Sequence, residues 1–457
     1  MSVLNGKKYN IITFGCQMNE HDSETIAGML QEKGCFAVPS KEESDITVIN
    51  TCSIRENADK RFFGTLGQLK KIKERNPDYI ACVCGCMMQQ QHIVDTVKSK
   101  YPWVDIIFGT HTIHKFPELL EKVCLEKQKV TELLEDSREI VEGLPAKRLY
   151  PHKAFVNIMY GCNNFCTYCI VPYTRGREKS RSPLEIILEV KQLVADGVKE
   201  VTLLGQNVNS YRGKHDDSGN ICGSDPIQTW DFADLIYALN SIDGLERIRF
   251  MTSHPKDLSD KLIRAFVDCK KLCNYIHLPI QSGSSRILQA MNRKYTREQY
   301  LELVRKLREA VPRITISTDI IVGFPGETEE DFQQTLSLVR EVKYDSAFTF
   351  LYSMRPGTPA AKYDDQIPED VKHERFNRLV DAVNDASMEK NSAYVGRMEK
   401  VLVDGASKKD ENTLTGRTEG FKLVDFSGDM SLTGQLIDVE ITEGKTFSLR
   451  GRIKNNA

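Results

Sequence analysis

Three cysteines crowd the segment Gly161-Cys162-Asn163-Asn164-Phe165-Cys166-Thr167-Tyr168-Cys169, three residues apart and then two. Thiolates so spaced on one loop can hold three corners of a cubane iron–sulfur cluster, for which cysteine is the usual ligand. The fourth iron then has no protein ligand nearby. It is open to an external chelate, to which it can pass an electron. A zinc knuckle is the competing reading. Structural zinc is closed by four ligands, and His152, the nearest addition, is wrongly spaced for a standard finger.

A second set is dispersed. Gly15-Cys16-Gln17-Met18-Asn19, Asn50-Thr51-Cys52-Ser53 and Gly85-Cys86-Met87-Met88 each follow a short apolar run. In an open parallel sheet the carboxyl ends of the strands are where ligand sites form. Three thiolates delivered there again suit a cluster with one open iron. The bland alternative for each is a buried core cysteine, a common occurrence. The third ligand is ambiguous, because Cys82, Cys84 and Cys86 alternate along one run. Cys86 lies beyond the run and after Gly85, which matches Gly15-Cys16, and is the choice; Cys82 and Cys84 read as core. Cys35, Cys124, Cys222, Cys269 and Cys273 fall in helical or loop patterns and read as inert.

The elements that must position these residues are legible as a rhythm. Short apolar runs at 9–14, 46–50, 79–84 and 104–108 alternate with helical patterns such as 19–33 and 56–74. That alternation implies a parallel sheet with helices on its faces. The expected unit is a doubly wound α/β domain over 7–124. Residues 125–147, with Pro145 and Lys147, lose the rhythm and read as a linker. It restarts with six strand candidates, at 154–160, 200–205, 247–252, 275–280, 313–322 and 347–352. Six βα units over 148–390 suggest a partial parallel (β/α)6 barrel, with an open doubly wound sheet as the rival. One long helix is expected over 368–393. From 394 to 457 short alternating runs with glycine turns mark a small antiparallel β-barrel.

The chain has 457 residues, 40% hydrophobic and 28% charged, with net charge −2. Disordered, collagen-like and low-complexity classes are excluded. Bulk attraction to nucleic acid or an acidic membrane is not implied, so any basic surface must be local. No segment approaches the roughly 20 apolar residues of a membrane span, and the start lacks a signal-peptide layout. A reducing cytoplasmic location, free thiols, no membrane contact and a monomer are the default expectations.

Cys-x3-Cys-x2-Cys after a first barrel strand resembles the radical S-adenosylmethionine (SAM) superfamily. Together with Gly15-Cys16-Gln17-Met18-Asn19, Asn50-Thr51-Cys52-Ser53-Ile54-Arg55-Glu56 and Tyr160 through Glu178, the chain resembles the methylthiotransferases of that superfamily. The bacterial-type branch acting on N6-isopentenyladenosine (dimethylallyladenosine) in tRNA is the nearest in pattern. The likeness runs from about residue 8 to 453 and includes Leu204-Gly205-Gln206-Asn207, Thr252-Ser253-His254-Pro255, His277 through Ser284, Asp319 through Thr328 and Arg355 through Ala360. The last unit resembles a TRAM domain, an RNA-binding module.

The resemblance implies two 4Fe-4S clusters, the auxiliary one able to carry an extra sulfide, with Cys16, Cys52, Cys86, Cys162, Cys166 and Cys169 as ligands. It implies one SAM as methyl donor and a second as source of a 5′-deoxyadenosyl radical, and methylthiolation at C2 of the adenine beside the anticodon. The partners implied are that tRNA, an electron donor such as flavodoxin or ferredoxin, and a sulfur or cluster supplier. Relatives acting on threonylcarbamoyl adenosine or a ribosomal-protein aspartate are the alternative, and an RNA-binding electron carrier the non-enzymatic one.

Parallel barrels place their chemistry at the C-terminal face. SAM is therefore expected near Gln206, Asn207, Ser253, Gln281 and Asp319. Gln206 and Asn207 suit the carboxylate or ribose as amide donors, and each of the five has capping a helix or satisfying a loop as its alternative. His254, before Pro255, serves SAM or merely orients its loop. Gly323 and Gly326 permit close backbone approach to a ligand, or form an ordinary turn. Arg175, Arg177, Lys179 and Arg181 suit RNA phosphate or the SAM carboxylate, against a solvated loop. Arg417, Phe421 and Lys422 combine stacking with phosphate chemistry, against a solvated strand and turn.

Overall fold

A computed structural model describes residues 2–53, 56–134, 140–215, 228–408 and 410–454. Ile54, Arg55 and Cys222 lie outside the described residues. The first unit is a six-stranded parallel sheet in the order Phe36–Ala37, Lys8–Thr13, Ile46–Thr51, Ile80–Gly85, Ile106–Phe108, Val130–Glu132. Alternate residues of a strand face opposite sides, and each side has its own core. Val48, Cys82, Cys84 and Ile106 pack with Ile26 and Leu120 on one face. Ile49, Ala81, Val83 and Ile107 pack with Phe62, Leu66 and Val97 on the other.

Two edge strands have no counterpart in the sequence reading. One of them, Val130–Glu132, falls in the stretch taken as a linker and pairs with Ile106–Phe108. At three residues it is too short to carry a period. Farther on, the stretch crosses the helix Gln17–Glu32: Lys147 N–H donates to the Glu24 carbonyl at 2.8 Å. A Cβ at Gly28 would meet the Pro145 carbonyl oxygen at 2.5 Å, so glycine is what permits the crossing.

The second unit has six parallel strands in chain order, in two triplets. The first is Lys153–Asn157, Glu200–Leu204 and Arg247–Phe250; the second is Tyr275–His277, Thr315–Val322 and Ser346–Leu351. A parallel bridge from Ile248 to Leu272 links them, giving an incomplete barrel. Helices on the outside begin at capping boxes, for example Thr296 with Gln299 and Thr328 with Asp331, which satisfy otherwise orphaned first-turn N–H groups. The helix Glu369–Ser392 packs on the last strand. The first strand ends earlier than expected, and Met159–Tyr160 instead pairs antiparallel with Lys179–Ser180. The cysteine loop is thereby closed at its base by a short ribbon. A hairpin of Arg212–His215 with Gln228–Asp231 was not foreseen either.

The third unit is a closed five-stranded barrel in the order Met398–Ser407, Asp410–Thr418, Leu423–Ser427, Leu449–Ile453, Leu436–Gly444. It is antiparallel except for one parallel pair, Leu423–Ser427 with Leu449–Ile453. It docks on the N-terminal ends of the central strands. Arg249 donates to the carbonyls of Thr418 and Glu419, each at 2.7 Å, and Arg247 to those of Lys400 at 2.7 Å and Arg417 at 3.0 Å. Glu200 balances Arg249 at 2.9 Å. Lys422 pairs with Asp345 at 3.0 Å, and Lys153 with Asp404 at 2.6 Å. The cysteine loop and the first unit occupy the opposite, C-terminal end.

Candidate metal centres

The strand register brings the dispersed cysteines together. Thr13 pairs with Asn50, and Thr51 with Gly85, so Cys52 and Cys86 leave neighbouring strands at the same level. Gly85 has φ +96°, and a Cβ there would stand 2.2 Å from the Thr51 carbonyl oxygen; only glycine lets the chain turn here. Asn19 donates to Asn50 Oδ1 at 3.1 Å and to the Thr51 carbonyl at 3.0 Å, while Asn50 donates back to the Asn19 carbonyl at 2.9 Å. This lock explains both asparagines of the motifs. Cys16 caps the 16-residue helix Gln17–Glu32. Its thiol is brought down to about 6, chiefly by a hydrogen bond with Cys52, against burial, with the charge of Arg175 assisting. A thiolate at a helix N-terminus is favoured by the dipole as well. Burial pushes the Cys86 thiol up, with Arg175 opposing. Cys82 and Cys84 are wholly buried within the sheet, and burial raises both thiols.

The second triad sits on the ribboned loop. Gly161, at φ +73°, approaches the Arg177 carbonyl so closely that a Cβ would lie 2.1 Å from its oxygen. Cys162 N–H donates to the Gly176 carbonyl at 3.1 Å and Cys169 N–H to that of Cys166 at 2.9 Å. Burial raises the Cys162 thiol to about 11 and that of Cys169 to about 12, each aggravated by the charge of Cys166. A cationic cluster would reverse that, since a metal deprotonates a coordinating thiol. Arg293 donates to Cys166 Sγ at 3.4 Å and is fixed by the Tyr295 hydroxyl at 2.8 Å and the Pro279 carbonyl at 2.9 Å.

Among the described residues no three His, Cys, Asp or Glu side chains meet around one point, as a single ion would require. A cubane presents its irons at separate corners, so its thiolates stand apart. Two triads of soft ligands, each beside a buried arginine, fit that group.

Around the C-terminal ends of the barrel strands several buried acceptors lack a partner: Gln206 Oε1, Asn207 Oδ1 and Gln281 Oε1. Buried polar atoms are nearly always paired, so donors belong here. The ammonium and ribose hydroxyls of SAM are such donors, and the amide oxygens, rather than the expected N–H groups, are the free face. Asn207 Nδ2 is already committed to Asp257 at 2.7 Å. The Ser253 hydroxyl donates to the His277 carbonyl. Asp319 faces His277 Nε2 at 3.4 Å. His254 accepts from Lys256 N–H at 3.2 Å, and burial keeps it neutral, so it orients its own loop. Gly323 and Gly326 face Lys372 and Asp365 of the chain itself, whose atoms a Cβ would meet at 2.4 and 2.2 Å. They form a packed turn, not a ligand cradle.

The radical SAM superfamily pattern matches residues 156–339, the uncharacterized protein family UPF0004 residues 8–109, and the TRAM domain residues 392–454. A tRNA-2-methylthio-N(6)-dimethylallyladenosine synthase of Alkaliphilus oremlandii is 58% identical, covering 98% of this chain and 93% of that protein. The chain belongs to this synthase family. Synthases of the same name from Clostridium botulinum (strain Hall) and Clostridium perfringens are 54% and 55% identical, over 98% of this chain and 99% and 98% of theirs. Among solved structures, the radical SAM methyltransferase TsrM of Kitasatospora setae, with cobalamin and a 4Fe-4S cluster bound, shares the fold. It has a TM-score of 0.55 at 12% identity, over 78% of this chain and 74% of that one. The cobalamin-dependent radical enzyme OxsB gives 0.51 at 12% identity, over 82% and 57%.

In this synthase-family chain several residues read as RNA contacts are turned inward. Arg175 is buried and bound to Asp22 at 2.7 Å and Cys86 Sγ at 3.1 Å. Arg181 is buried between Glu142 at 2.5 Å and Glu189 at 2.7 Å. Lys422 is buried on Asp345, and Arg417 lies over the Phe421 ring at 4.2 Å, itself packed on Tyr275. Arg175, Arg181 and Lys422 are thus buried against carboxylates, which leaves them little free charge for a phosphate, while Arg417 and Phe421 are half-buried against each other and Tyr275. Arg177, exposed over the Phe165 ring at 4.3 Å, remains open to solvent. The reading missed Asp22 and Arg293, whose partners lie far away in sequence.

Proposed function

We propose that the chain adds a methylthio group to C2 of N6-isopentenyladenosine in tRNA. Cys162, Cys166 and Cys169 hold the cluster that binds SAM, and Cys16, Cys52 and Cys86 hold the auxiliary one. What supports this reading is that Arg175, six residues past Cys169, reaches Cys86 Sγ, in a chain resembling the named synthases along nearly all its length. When bound, the two clusters and SAM supply a radical strong enough to take hydrogen from an aromatic carbon, and the sulfur and methyl that replace it. The chain's own residues do the rest. Gln206, Asn207 and Gln281 offer buried acceptors to the ammonium and ribose of SAM. The first unit is seated over the strand ends, where Gln206 Nε2 touches Met18 Sδ across the seam at 2.5 Å.

Among the described residues no helix is long and apolar enough to cross a membrane. We assign the protein to the cytoplasm as a monomer served by a flavodoxin- or ferredoxin-type donor and a sulfur supplier. The three units are taken as 7–124 with the edge strand Val130–Glu132, 148–390 and 394–457. The test is anaerobic: reconstituted protein, SAM, dithionite and tRNA with or without the isopentenyl group, then nucleoside mass spectrometry. A methylthio adduct only on isopentenylated tRNA is expected. Deoxyadenosine without that adduct would overturn the substrate and direct attention to threonylcarbamoyl adenosine or protein.

A further inference from the structure

Arg175 is supplied by the barrel but works in the other unit. It follows Cys169 by six residues, at the end of the single helical turn Val171–Thr174, where its N–H donates to the Val171 carbonyl at 2.8 Å. Its side chain is 6% exposed. Nη2 meets Asp22 Oδ2 at 2.7 Å and Nε meets Cys86 Sγ at 3.1 Å. Asp22 lies on the helix that Cys16 caps. Thr110 Oγ1, from the first unit, donates to the Thr174 carbonyl at 3.1 Å and holds the turn in place. One cation from the loop carrying the barrel cysteines thus bridges the Cys16 helix and the Cys86 thiolate.

Cluster potentials are set by net charge and by hydrogen bonds to the ligating sulfurs. A charge-assisted donor on a thiolate sulfur stabilises the state with one more electron. We propose that Arg175 is a positioning residue through which the barrel's cysteine loop sets the reduction potential of the auxiliary cluster. This rests on the reading that Cys16, Cys52 and Cys86 hold that cluster. The step concerned is the uptake of one electron from an external reductant, with no bond made or broken. Seating the barrel loop then makes the auxiliary cluster easier to reduce, and unseating it makes it harder. The paired Asp22 fixes the guanidinium and tempers its charge.

The test uses the full chain carrying Cys162→Ala, Cys166→Ala and Cys169→Ala, so that the auxiliary cluster alone is visible. The protein is reconstituted anaerobically, its iron is counted, and electron paramagnetic resonance is recorded at fixed poise with dithionite as titrant. Arg175→Met should lower the reduced-to-oxidised ratio about tenfold, which is ~59 mV for a one-electron couple. Arg175→Lys should restore most of it, and Asp22→Asn should move the ratio the other way. If Arg175→Met loses iron, the Lys and Asn variants still decide. Unchanged ratios with full iron in the variants overturn the proposal. A parent triple variant that takes up no iron defeats the auxiliary-cluster reading itself, and the proposal with it.

Discussion

Lys422 separates two readings of the C-terminal barrel, as an RNA face or as a docking face. Its ammonium lies 3.0 Å from Asp345 Oδ1, with side chains 9% and 8% exposed, and 3.2 Å from the Asp345 carbonyl. The other carboxylate oxygen accepts from Ile316 N–H at 3.0 Å. At that separation the attraction is about 5 kcal/mol for an effective dielectric of ~20, and desolvation offsets part of it. Lys422→Met keeps the aliphatic packing and strands the carboxylate, which for a buried pair costs about 3–5 kcal/mol. The pair crosses the seam between barrels, so the cost falls on docking, and opening of the seam should rise roughly 150- to 4000-fold. Amide exchange over residues 398–427 reads that opening. Adding Asp345→Asn to Lys422→Met should recover much of the loss, because no buried charge then remains. A phosphate-binding lysine behaves differently: its loss weakens tRNA binding and flattens the dependence of log affinity on log salt by about 0.7–0.9. Unchanged exchange with a flattened salt slope would refute the docking argument.

Cys52→Ala should leave SAM cleavage to 5′-deoxyadenosine intact while stopping methylthio product, whereas Cys162→Ala should abolish both; product chromatography on the two variants checks this. Gly85→Ala forces a Cβ to 2.2 Å from the Thr51 carbonyl at φ +96°, a strain of order 1–3 kcal/mol. It should lower iron content to about half by losing one of two clusters, measured by iron assay beside cleavage activity. Burial raises the Glu327 carboxyl from its ordinary 4.5 to about 7, although Arg375 lies 3.0 Å away. A raised carboxyl stabilises the fold while protonated, so its contribution is complete below 4.5 and is lost as pH climbs to about 7. The cost of Glu327→Gln, followed by thermal melting, should therefore shrink between pH 5 and pH 8; a cost that grows would reverse the sign.

Much of this was legible in the chain. Short continuous apolar runs separated by helical patterns reveal a parallel sheet, because strands covered by helices on both faces are buried on both. Cys162, Cys166 and Cys169 declare themselves by local spacing. Cys16, Cys52 and Cys86 are suggested by equivalence of strand ends, and the pairing of Thr51 with Gly85 sets Cys52 and Cys86 at one level. The charged residues were not legible in the same way. Arg175 and Lys422 stand in polar segments that look solvated, and their partners lie 153 and 77 residues away. Charge in a sequence says that a partner is needed, and tertiary packing chooses between water, phosphate and a carboxylate of the same chain.

The two ends of the central barrel divide these roles. Glu200, Arg247, Tyr275 and Thr315 each begin a strand, and Arg247, Arg249 and Lys422 tie this end to the C-terminal barrel by hydrogen bonds and ion pairs. Gln206, Gln281 and the cysteine loop stand past the other end, where partners are missing for buried acceptors. Ion pairs and hydrogen bonds thus fix the C-terminal barrel at one end of the central strands, and the cysteine loop, with Arg177 exposed beside it, stands at the other.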